Sequence, residues 1–240
     1  MSNLRSNGRA VDELRSFKIT RNFLFNADAS CLIEMGRTRV ICAATVESKP
    51  AKWMNPTARD AWITAEYNLM PASVTNRVRR PIGYPNSRAV EIQRLIGRSI
   101  RGAFELEDLG ECTIRVDCDV LDGDGGTRCA SITGGFVAAF DAFLLAQEKG
   151  FIHKFPDYKL TAAISTGIVN GVALLDLDYS EDSKADVDGN FVIDENSNFI
   201  EIQCSAEKVN FDKSQLKELL DLAEKGTKEL IEYQKEILDL

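Results

Sequence analysis

Alternation of apolar and polar residues is clearest at 112–120, where every second residue from Cys112 to Val120 is apolar. A period of two is typical of a strand with one buried face. The same pattern, together with β-branched runs, predicts further strands at 17–24, 30–35, 38–46, 61–67, 160–169, 172–179, 186–193 and 199–204. Asn170-Gly171 lies between two of these strands and predicts a tight hairpin.

Apolar residues at helical spacing predict three helices, at 88–104, about 127–147 and about 213–238. Gly150 follows the second helix, as glycine commonly does at a helix end. Asp212 precedes the third helix, and Gln215 three residues later completes a pattern like a capping box. Residues 71–87 contain three prolines and a glycine among arginines, which predicts an exposed loop.

Strands followed by helices occur twice along the chain, without a linker between the two halves. This order predicts one α+β domain over 1–240, with internal halves of about 1–155 and 156–240. We expect the sheets on one side of the domain and the helices on the other.

The composition is that of a globular protein with a net charge of −8. We expect no membrane association, because no apolar run approaches the roughly 20 residues that cross a bilayer. The first residues lack the apolar stretch of a signal peptide. The six cysteines occur singly among mostly apolar neighbours, which favours reduced core residues in a cytoplasmic protein over disulfides or zinc ligands.

His153 is the chain's one histidine, and it follows a predicted helix end. Ser-His-Asp chemistry or a multi-histidine metal site would depend on this one residue, for which a surface role is the better interpretation. Any catalysis is therefore expected to use carboxylates, arginines and a hard metal ion.

A basic segment precedes a glycine-rich turn. The segment from 77 to 101 contains seven arginines opposed by Glu91 alone: Arg77, Arg79, Arg80, Arg88, Arg94, Arg98 and Arg101. The turn Gly123-Asp-Gly-Gly-Thr-Arg128 opens the second helix. Helix N-termini and arginines both suit phosphate groups. Two alternatives remain: the glycines only tighten the connection, and the helix arginines form a solvated face or a subunit contact.

A second cluster is acidic. The chain carries Asp176, Asp178, Glu181, Asp182, Asp186 and Asp188 within 13 residues around a turn. Such a turn can bring Asp182 near Asp188, and two close carboxylates share a proton or bind a cation such as Mg²⁺. A merely solvated acidic turn is the alternative.

Six segments resemble the ribonuclease PH family in the same order along nearly the whole chain. They are Gly8-Arg-Ala-Val-Asp-Glu-Leu-Arg15, Ala61-Trp-Ile-Thr-Ala-Glu-Tyr67, Glu91-Ile-Gln-Arg-Leu-Ile-Gly-Arg98, Val116-Asp-Cys-Asp-Val-Leu121, Asp124-Gly-Gly-Thr-Arg128 and Leu175-Asp-Leu-Asp-Tyr-Ser-Glu-Asp182. The resemblance implies a fold of the ribosomal-protein-S5-domain-2-like type, duplicated within the chain. It also implies a homo-hexamer, built as a trimer of dimers, that trims the 3′ end of RNA, notably precursor tRNA, with inorganic phosphate and releases nucleoside diphosphates.

Carried onto this sequence, the resemblance assigns phosphate binding to Arg88, Gly126, Thr127 and Arg128, and RNA binding to Arg77, Arg79 and Arg80. It assigns catalysis and Mg²⁺ ligation to Asp182 and Asp188. Two other functions remain open. One is a non-catalytic RNA-binding ring subunit of an exosome-like complex, and the other is a metal-dependent hydrolytic nuclease, which would leave the two arginines at 88 and 128 unexplained.

Overall fold

The computed structural model describes residues 5, 7–51, 53–54, 59–80 and 87–240. This part of the chain forms nine strands and four helices. The strands are β1 (Phe17–Arg21), β2 (Ala29–Met35), β3 (Thr38–Glu47), β4 (Trp62–Leu69), β5 (Thr113–Asp122), β6 (Thr161–Val169), β7 (Val172–Leu175), β8 (Val187–Asp194) and β9 (Phe199–Ala206). The helices are α1 (Ser87–Arg101), α2 (Thr127–Glu148), α3 (Tyr179–Asp182) and α4 (Lys213–Leu238).

The first half of the chain builds a five-stranded sheet in the order β1-β2-β3-β5-β4. Neighbouring strands are antiparallel except β4 and β5, which run parallel. The alternation predicted for β5 is present, because Ile114, Val116, Cys118 and Val120 are all buried. Because β4 and β5 are parallel, their C-terminal ends lie at the same end of the sheet, next to the start of α2.

The second half builds a four-stranded antiparallel sheet in the order β7-β6-β8-β9. The predicted hairpin joins β6 and β7, and both turn residues, Asn170 and Gly171, have positive φ. Short two-residue hairpin turns need such backbone angles, which Asn and Gly adopt most readily. The domain is therefore of the predicted α+β class.

Helix α2 corrects the prediction that sheets and helices lie on opposite sides. A Cβ atom added to Gly134 would lie 2.8 Å from Ile33 of the first sheet. The neighbouring Thr133 accepts a hydrogen bond at its Oγ1 from the backbone N–H of Ala163 in the second sheet, at 3.0 Å. Every residue from Cys129 to Phe140 is buried, and a helix that is apolar all round needs partners on both sides.

The length and composition of α2 also correct the expectation that no apolar run could cross a membrane. The helix is long and apolar enough to do so, but 83% of its apolar window is buried inside the protein. It is the central core helix of the domain, packed against both sheets.

The chain after β7 departs from the predicted strand at 172–179. The strand ends at Leu175, and Asp176 has a φ of 52°, in the left-handed region. Asp178 then caps α3 by accepting hydrogen bonds from the backbone N–H groups of Ser180 and Glu181. This local capping outweighs the period-two pattern of the sequence. The predicted strand at 17–24 likewise stops at Arg21, because Asn22 has positive φ.

Other predictions concern helix ends, cysteines and the proline-rich loop. Helix α4 begins after Asp212, and the capping box with Gln215 is confirmed. Helix α1 ends at Arg101, three residues before its predicted end. All six cysteines are free, and five of them are buried. Of the loop predicted at 71–87, residues 71–80 contain no helix or strand, and residues 81–86 lie outside the described residues.

Candidate active site

A glycine-rich turn connects β5 to α2 and forms the floor of the site. Gly125 and Gly126 both have positive φ, at 78° and 65°. A Cβ atom at Gly125 would lie 2.6 Å from the carbonyl oxygen of Leu177, so the turn packs directly on the segment before α3. No side chain caps α2 at Gly126. The first N–H groups of this helix therefore lack both an intrahelical acceptor and a side-chain cap, and such groups bind anions.

One cleft of about 350 Å³ contains the predicted phosphate and carboxylate residues together. They come from four elements: α1, the turn into α2 with its first residues, α3 and β8. The cleft residues predicted from the sequence are Arg88, Gly126, Thr127, Arg128, Asp182 and Asp188. The two arginines and the two aspartates also line an adjoining depression with Glu207 and Lys208.

The two arginines enter the cleft differently. Arg88 is exposed near the N-terminus of α1. Arg128 is mostly buried in the first turn of α2, where its Nη1 donates to the side-chain oxygen of Gln203 at 3.1 Å. Glu91 lies 3.9 Å from the same nitrogen. Arg128 is thus held by neutral and acidic neighbours, while Arg88 supplies a second positive charge to the same cleft.

Asp182 and Asp188 form a close, partly buried pair. Burial raises the pKa of Asp182, although the positive charges of Arg128 and Arg88 oppose the shift. Burial and the negative charge of Asp182 raise the pKa of Asp188 to about 6. The predicted proximity of the two carboxylates is therefore present, although a short helix rather than a hairpin produces it. Two desolvated carboxylates that repel each other favour a shared proton or a bound cation.

Sequence reasoning missed several cleft residues. Tyr67 is buried in the second half of β4, and its hydroxyl lies 2.8 Å from Thr127 Oγ1. Asn190 donates a hydrogen bond to Asp188 at 3.4 Å, and Tyr179 lines the cleft from α3. Asn190 had a usable signal, because it lies two residues after Asp188 and so faces the same side of β8. Tyr67 had none beyond its place in a strand.

The three loop arginines lie at different places around the cleft. Arg79 lines a small pocket with Arg88 and Tyr67. Arg77 lines a larger groove of about 800 Å³ that shares Val74, Gly123 and Tyr179 with the cleft. Burial raises the pKa of Asp119, and the nearby positive charge of Arg80 opposes this shift.

The remaining arginines of α1 lie outside the cleft. Arg98 pairs with Glu201 through two contacts of 2.7 Å. The Arg101 guanidinium lies 4.5 Å from the Trp62 ring centroid and donates to the Ile63 carbonyl at 2.8 Å. Both therefore tie α1 to neighbouring strands, an outcome that differs from a fully solvated face. His153 is exposed, in agreement with its predicted surface role.

The described residues contain no group of three or more His, Cys, Asp or Glu side chains placed to hold a metal ion. A pair of carboxylates is a smaller donor set. It suits a hard ion such as Mg²⁺, which takes one or two carboxylates and fills its other positions with water or phosphate oxygens.

Comparisons with known proteins find relatives along nearly the whole chain. The model of the 3′ exoribonuclease family, domain 1, matches residues 13–144, and that of domain 2 matches residues 159–226. Ribonuclease PH of Corynebacterium glutamicum is 48% identical over 98% of this chain and 97% of its own length. Ribonuclease PH of Cereibacter sphaeroides is 47% identical over 98% of this chain and all of its own.

A solved structure resembles this chain as well. A chain of the Archaeoglobus fulgidus exosome with RNA bound to the active site superimposes with a TM-score of 0.82. It is 25% identical, and the match covers 96% of this chain and 92% of that one. Identity near one half along the full length, both family domains in order and a cleft that joins arginines to paired carboxylates lead to one conclusion: the chain belongs to the ribonuclease PH family and is a phosphate-dependent 3′ exoribonuclease.

Proposed function

We propose that inorganic phosphate binds between the guanidinium groups of Arg88 and Arg128 and the backbone N–H groups of Gly126 and Thr127. The observation that carries this proposal is the meeting of two arginines with an uncapped helix N-terminus in one cleft. Arginine presents a planar, permanently charged fork that matches phosphate oxygens. The helix end adds N–H donors and a partial positive charge.

In the proposed reaction, an oxygen of the bound phosphate attacks the phosphorus of the last phosphodiester bond of the RNA. The bond from that phosphorus to the 3′ oxygen of the preceding nucleotide breaks, and the 3′ oxygen takes up a proton. A nucleoside diphosphate leaves, and the RNA is one nucleotide shorter. Phosphoryl transfer mainly requires alignment and charge neutralisation. Arg88 and Arg128 supply both, since two anions must meet in the cleft.

The carboxylate pair supports two roles at the leaving 3′ oxygen. Asp182, whose pKa is raised by burial, can hold a proton for that oxygen. Asp182 and Asp188 together are also a fitting donor set for Mg²⁺, because their mutual repulsion is relieved by a cation. Bound Mg²⁺ would supply charge stabilisation for the scissile phosphate. We propose the pair as the magnesium site of the enzyme.

The RNA upstream of the cleft is proposed to run through the groove that contains Arg77. Arg37 and Arg39 line the same groove, and Tyr179, which is 59% exposed, stands where groove and cleft meet. Arginines bind the phosphates of a single strand, and an exposed aromatic ring offers a surface on which a base can stack. The adjoining depression shares the two arginines of the cleft but adds the carboxylates of Glu91 and Glu207, which disfavour it as the path of the RNA backbone.

Precursor tRNA with a single-stranded 3′ end is the proposed substrate. We also propose a homo-hexamer, built as a trimer of dimers, because arginine loops from several subunits could then hold one tRNA at once. Light scattering of the purified protein tests the hexamer, and a mass equal to one or two chains would contradict it.

A cytoplasmic location is proposed on the basis of the free, buried cysteines.

The phosphate site is tested by the variants Arg88→Ala and Arg128→Ala, with Arg94→Ala as the matched control. Arg94 is exposed on the same helix as Arg88 but lies outside the cleft. On a 3′-extended tRNA, each cleft variant should lose at least about tenfold in kcat/KM for phosphate, since a charged hydrogen bond contributes about 1.5–3 kcal/mol. The control should remain within about twofold.

The products separate this function from its alternatives. Nucleoside monophosphates released in phosphate-free buffer would indicate a hydrolytic nuclease. Tight RNA binding without any released nucleotide, with or without phosphate, would indicate a non-catalytic ring subunit. Wild-type turnover in Arg128→Ala would show that phosphate binds elsewhere.

A further inference from the structure

The segment before β1 inserts two arginine side chains deep beneath the active site. Arg5 and Arg15 are buried, with 8% and 7% of their surface exposed, although arginine is rarely buried. Their acidic partners, Asp176 and Glu181, are buried as well. None of these four residues lines the cleft. The cluster is therefore outside the site proposed above, yet it touches two of the elements that form it.

Arg15 connects the glycine-rich turn to the segment after β7. Its Nε and Nη2 donate to the two carboxylate oxygens of Asp176, at 2.9 Å and 2.6 Å. Its Nη1 donates to the carbonyl oxygen of Asp124, at 2.7 Å. A Cβ atom at Gly126 would lie 2.9 Å from Arg15 Nη2, so the guanidinium packs directly against the glycine-rich turn that is proposed to bind phosphate. One planar group thus fixes the distance between two segments of the site.

Asp176 is held in place by Arg15 from two directions. Its carboxylate also accepts a hydrogen bond from the backbone N–H of Arg15, at 2.8 Å. The residue is fully buried with a φ of 52°. Non-glycine residues adopt such angles at a cost and keep them where surrounding contacts enforce them. Asp176 therefore depends on Arg15 for its backbone conformation. That conformation in turn sets the direction of the chain at Leu177 and Asp178.

Arg5 holds α3 in a comparable way. Its Nε donates to Glu181 at 2.7 Å, and its Nη2 contacts the other carboxylate oxygen of Glu181. Its Nη1 donates to the carbonyl oxygen of Leu175 at 2.6 Å. Glu181 also completes the capping box of α3 and is adjacent to Asp182. The position of the Asp182 carboxylate in the cleft thus depends on Arg5 through a single turn of helix.

Arg9 adds a third guanidinium at the edge of the cluster. Its Nη2 donates to the carbonyl oxygen of Asp176 at 3.0 Å, and its Nη1 lies 3.5 Å from the carboxylate of that residue. The cluster thus combines three cations with two buried carboxylates. The arginines also donate to backbone carbonyl oxygens, which charge neutralisation does not require. Their planar forks therefore orient the glycine-rich turn and the segment around α3.

We propose that Arg5 and Arg15 are positioning residues that set the two halves of the active site relative to each other. Arg15 orients the turn that binds phosphate, and Arg5 orients α3 and therefore Asp182. This inference rests on the phosphate site proposed above. It predicts that the two arginines affect different kinetic constants, which a general stabilising role would not do.

Lysine variants separate positioning from charge, because lysine keeps the charge but lacks the planar fork. Arg15→Lys should raise the KM for phosphate by about tenfold or more while the KM for RNA stays within about twofold, as expected for loss of one or two charged hydrogen bonds. Arg5→Lys should lower kcat by a similar factor with a nearly unchanged KM for phosphate.

Arg21→Lys is the matched control. Arg21 pairs with both carboxylate oxygens of Asp141, at 3.0 Å and 2.6 Å, and donates to the carbonyl oxygen of Ile237, at 2.6 Å. It thus has the same kinds of partner as Arg15 but lies outside the cleft. Its lysine variant should lower Tm without changing kcat or either KM.

A hydrogen-exchange measurement on the wild-type protein keeps the inference testable if a lysine variant does not fold. Saturating phosphate should slow exchange at residues 124–128 and also at the backbone N–H of Arg15. Protection of 124–128 alone would overturn the positioning role. So would Arg15→Lys and Arg5→Lys variants that lower Tm as Arg21→Lys does but keep wild-type kinetics. By contrast, an unchanged KM for phosphate in Arg128→Ala would refute the phosphate site itself.

Discussion

Asp117 shows how a single carboxylate can oppose folding in this protein. It lies on β5 opposite Glu66 of β4, and alternation along β5 places it on the sheet face that Val116 and Cys118 do not share. Burial, with the negative charges of Glu66 and Asp119, raises the pKa of Asp117. The folded protein therefore binds this proton more tightly than the unfolded chain does.

The variant Asp117→Asn should raise Tm at neutral pH, with the gain shrinking as the pH falls. The unfolded group titrates near about 3.9. Above the raised folded pKa the wild type carries the full cost of the buried charge, and below about 3.9 it carries none. Thermal unfolding from pH 8 down to pH 4 measures this difference. Glu107→Gln, at an exposed carboxylate, is the control. A gain in Tm for Asp117→Asn that is the same at every pH would contradict this explanation.

At the level of elements, the connection from β5 to α2 determines the shape of the phosphate-binding part of the cleft. Gly125 and Gly150 flank the two ends of α2, and both have positive φ, at 78° and 71°. They differ in surroundings: a Cβ atom at Gly125 would lie 2.6 Å from the Leu177 carbonyl oxygen, whereas Gly150 has no atom within 4 Å of that position. The first glycine permits a close approach of two backbones, and the second only ends a helix.

Gly125→Ala should therefore be more harmful than Gly150→Ala. Both variants carry the cost of a left-handed alanine, about 1–2 kcal/mol. Gly125→Ala must also push the turn away from the segment before α3, so it should lower Tm further and raise the KM for phosphate. Calorimetry and phosphate titrations of the two variants provide the comparison. Equal Tm losses with an unchanged KM would show that the close approach does not shape the site.

Elements with a strong local signal were predictable from the sequence. The alternation of β5, the hairpin at Asn170-Gly171 and the capping box of α4 each depend on neighbouring residues, and each is present. Helix α3 was missed because the left-handed Asp176 and the cap at Asp178 interrupt a run that alternates like a strand. The position of α2 between the sheets was missed because it depends on which distant surfaces cover its two sides.

The candidate site likewise has residues that the sequence predicts and residues that it does not. The turn at 123–128 and the acidic turn at 176–188 carry their chemistry in consecutive residues, so their main side chains could be named in advance. The arginines beneath the site could not, because Arg5 and Arg15 contact partners 176 and 161 residues away. Nothing in the local sequence distinguishes them from exposed arginines.

At the level of the whole molecule, charge is unevenly distributed. The chain carries a net charge of −8, yet the groove beside the cleft is lined by Arg37, Arg39 and Arg77. Two of these arginines pair with aspartates of the same groove, Arg37 with Asp124 and Arg39 with Asp122. Arg77 is exposed and lines the groove with them, so it is the arginine we expect to contribute most to RNA binding.

RNA affinity should fall linearly with salt on logarithmic axes, and Arg77→Ala should make that slope shallower by about 0.7, the value for one phosphate contact on a single strand. Arg94→Ala, at an exposed arginine outside the groove, should leave the slope unchanged. Fluorescence anisotropy with a 3′-extended tRNA across a range of salt concentrations gives both values. An Arg77→Ala slope identical to that of the wild type would exclude the groove as the RNA path.

The fate of labelled phosphate tests the central claim most directly. Wild-type enzyme, Mg²⁺, a 3′-extended tRNA and radiolabelled inorganic phosphate are incubated, and the released nucleotides are separated. Phosphate bound at Arg88 and Arg128 as the nucleophile predicts that the label appears in the terminal phosphate of nucleoside diphosphates, and that Arg128→Ala loses this product. Unlabelled nucleoside monophosphates from the wild type, formed equally well without phosphate, would contradict it.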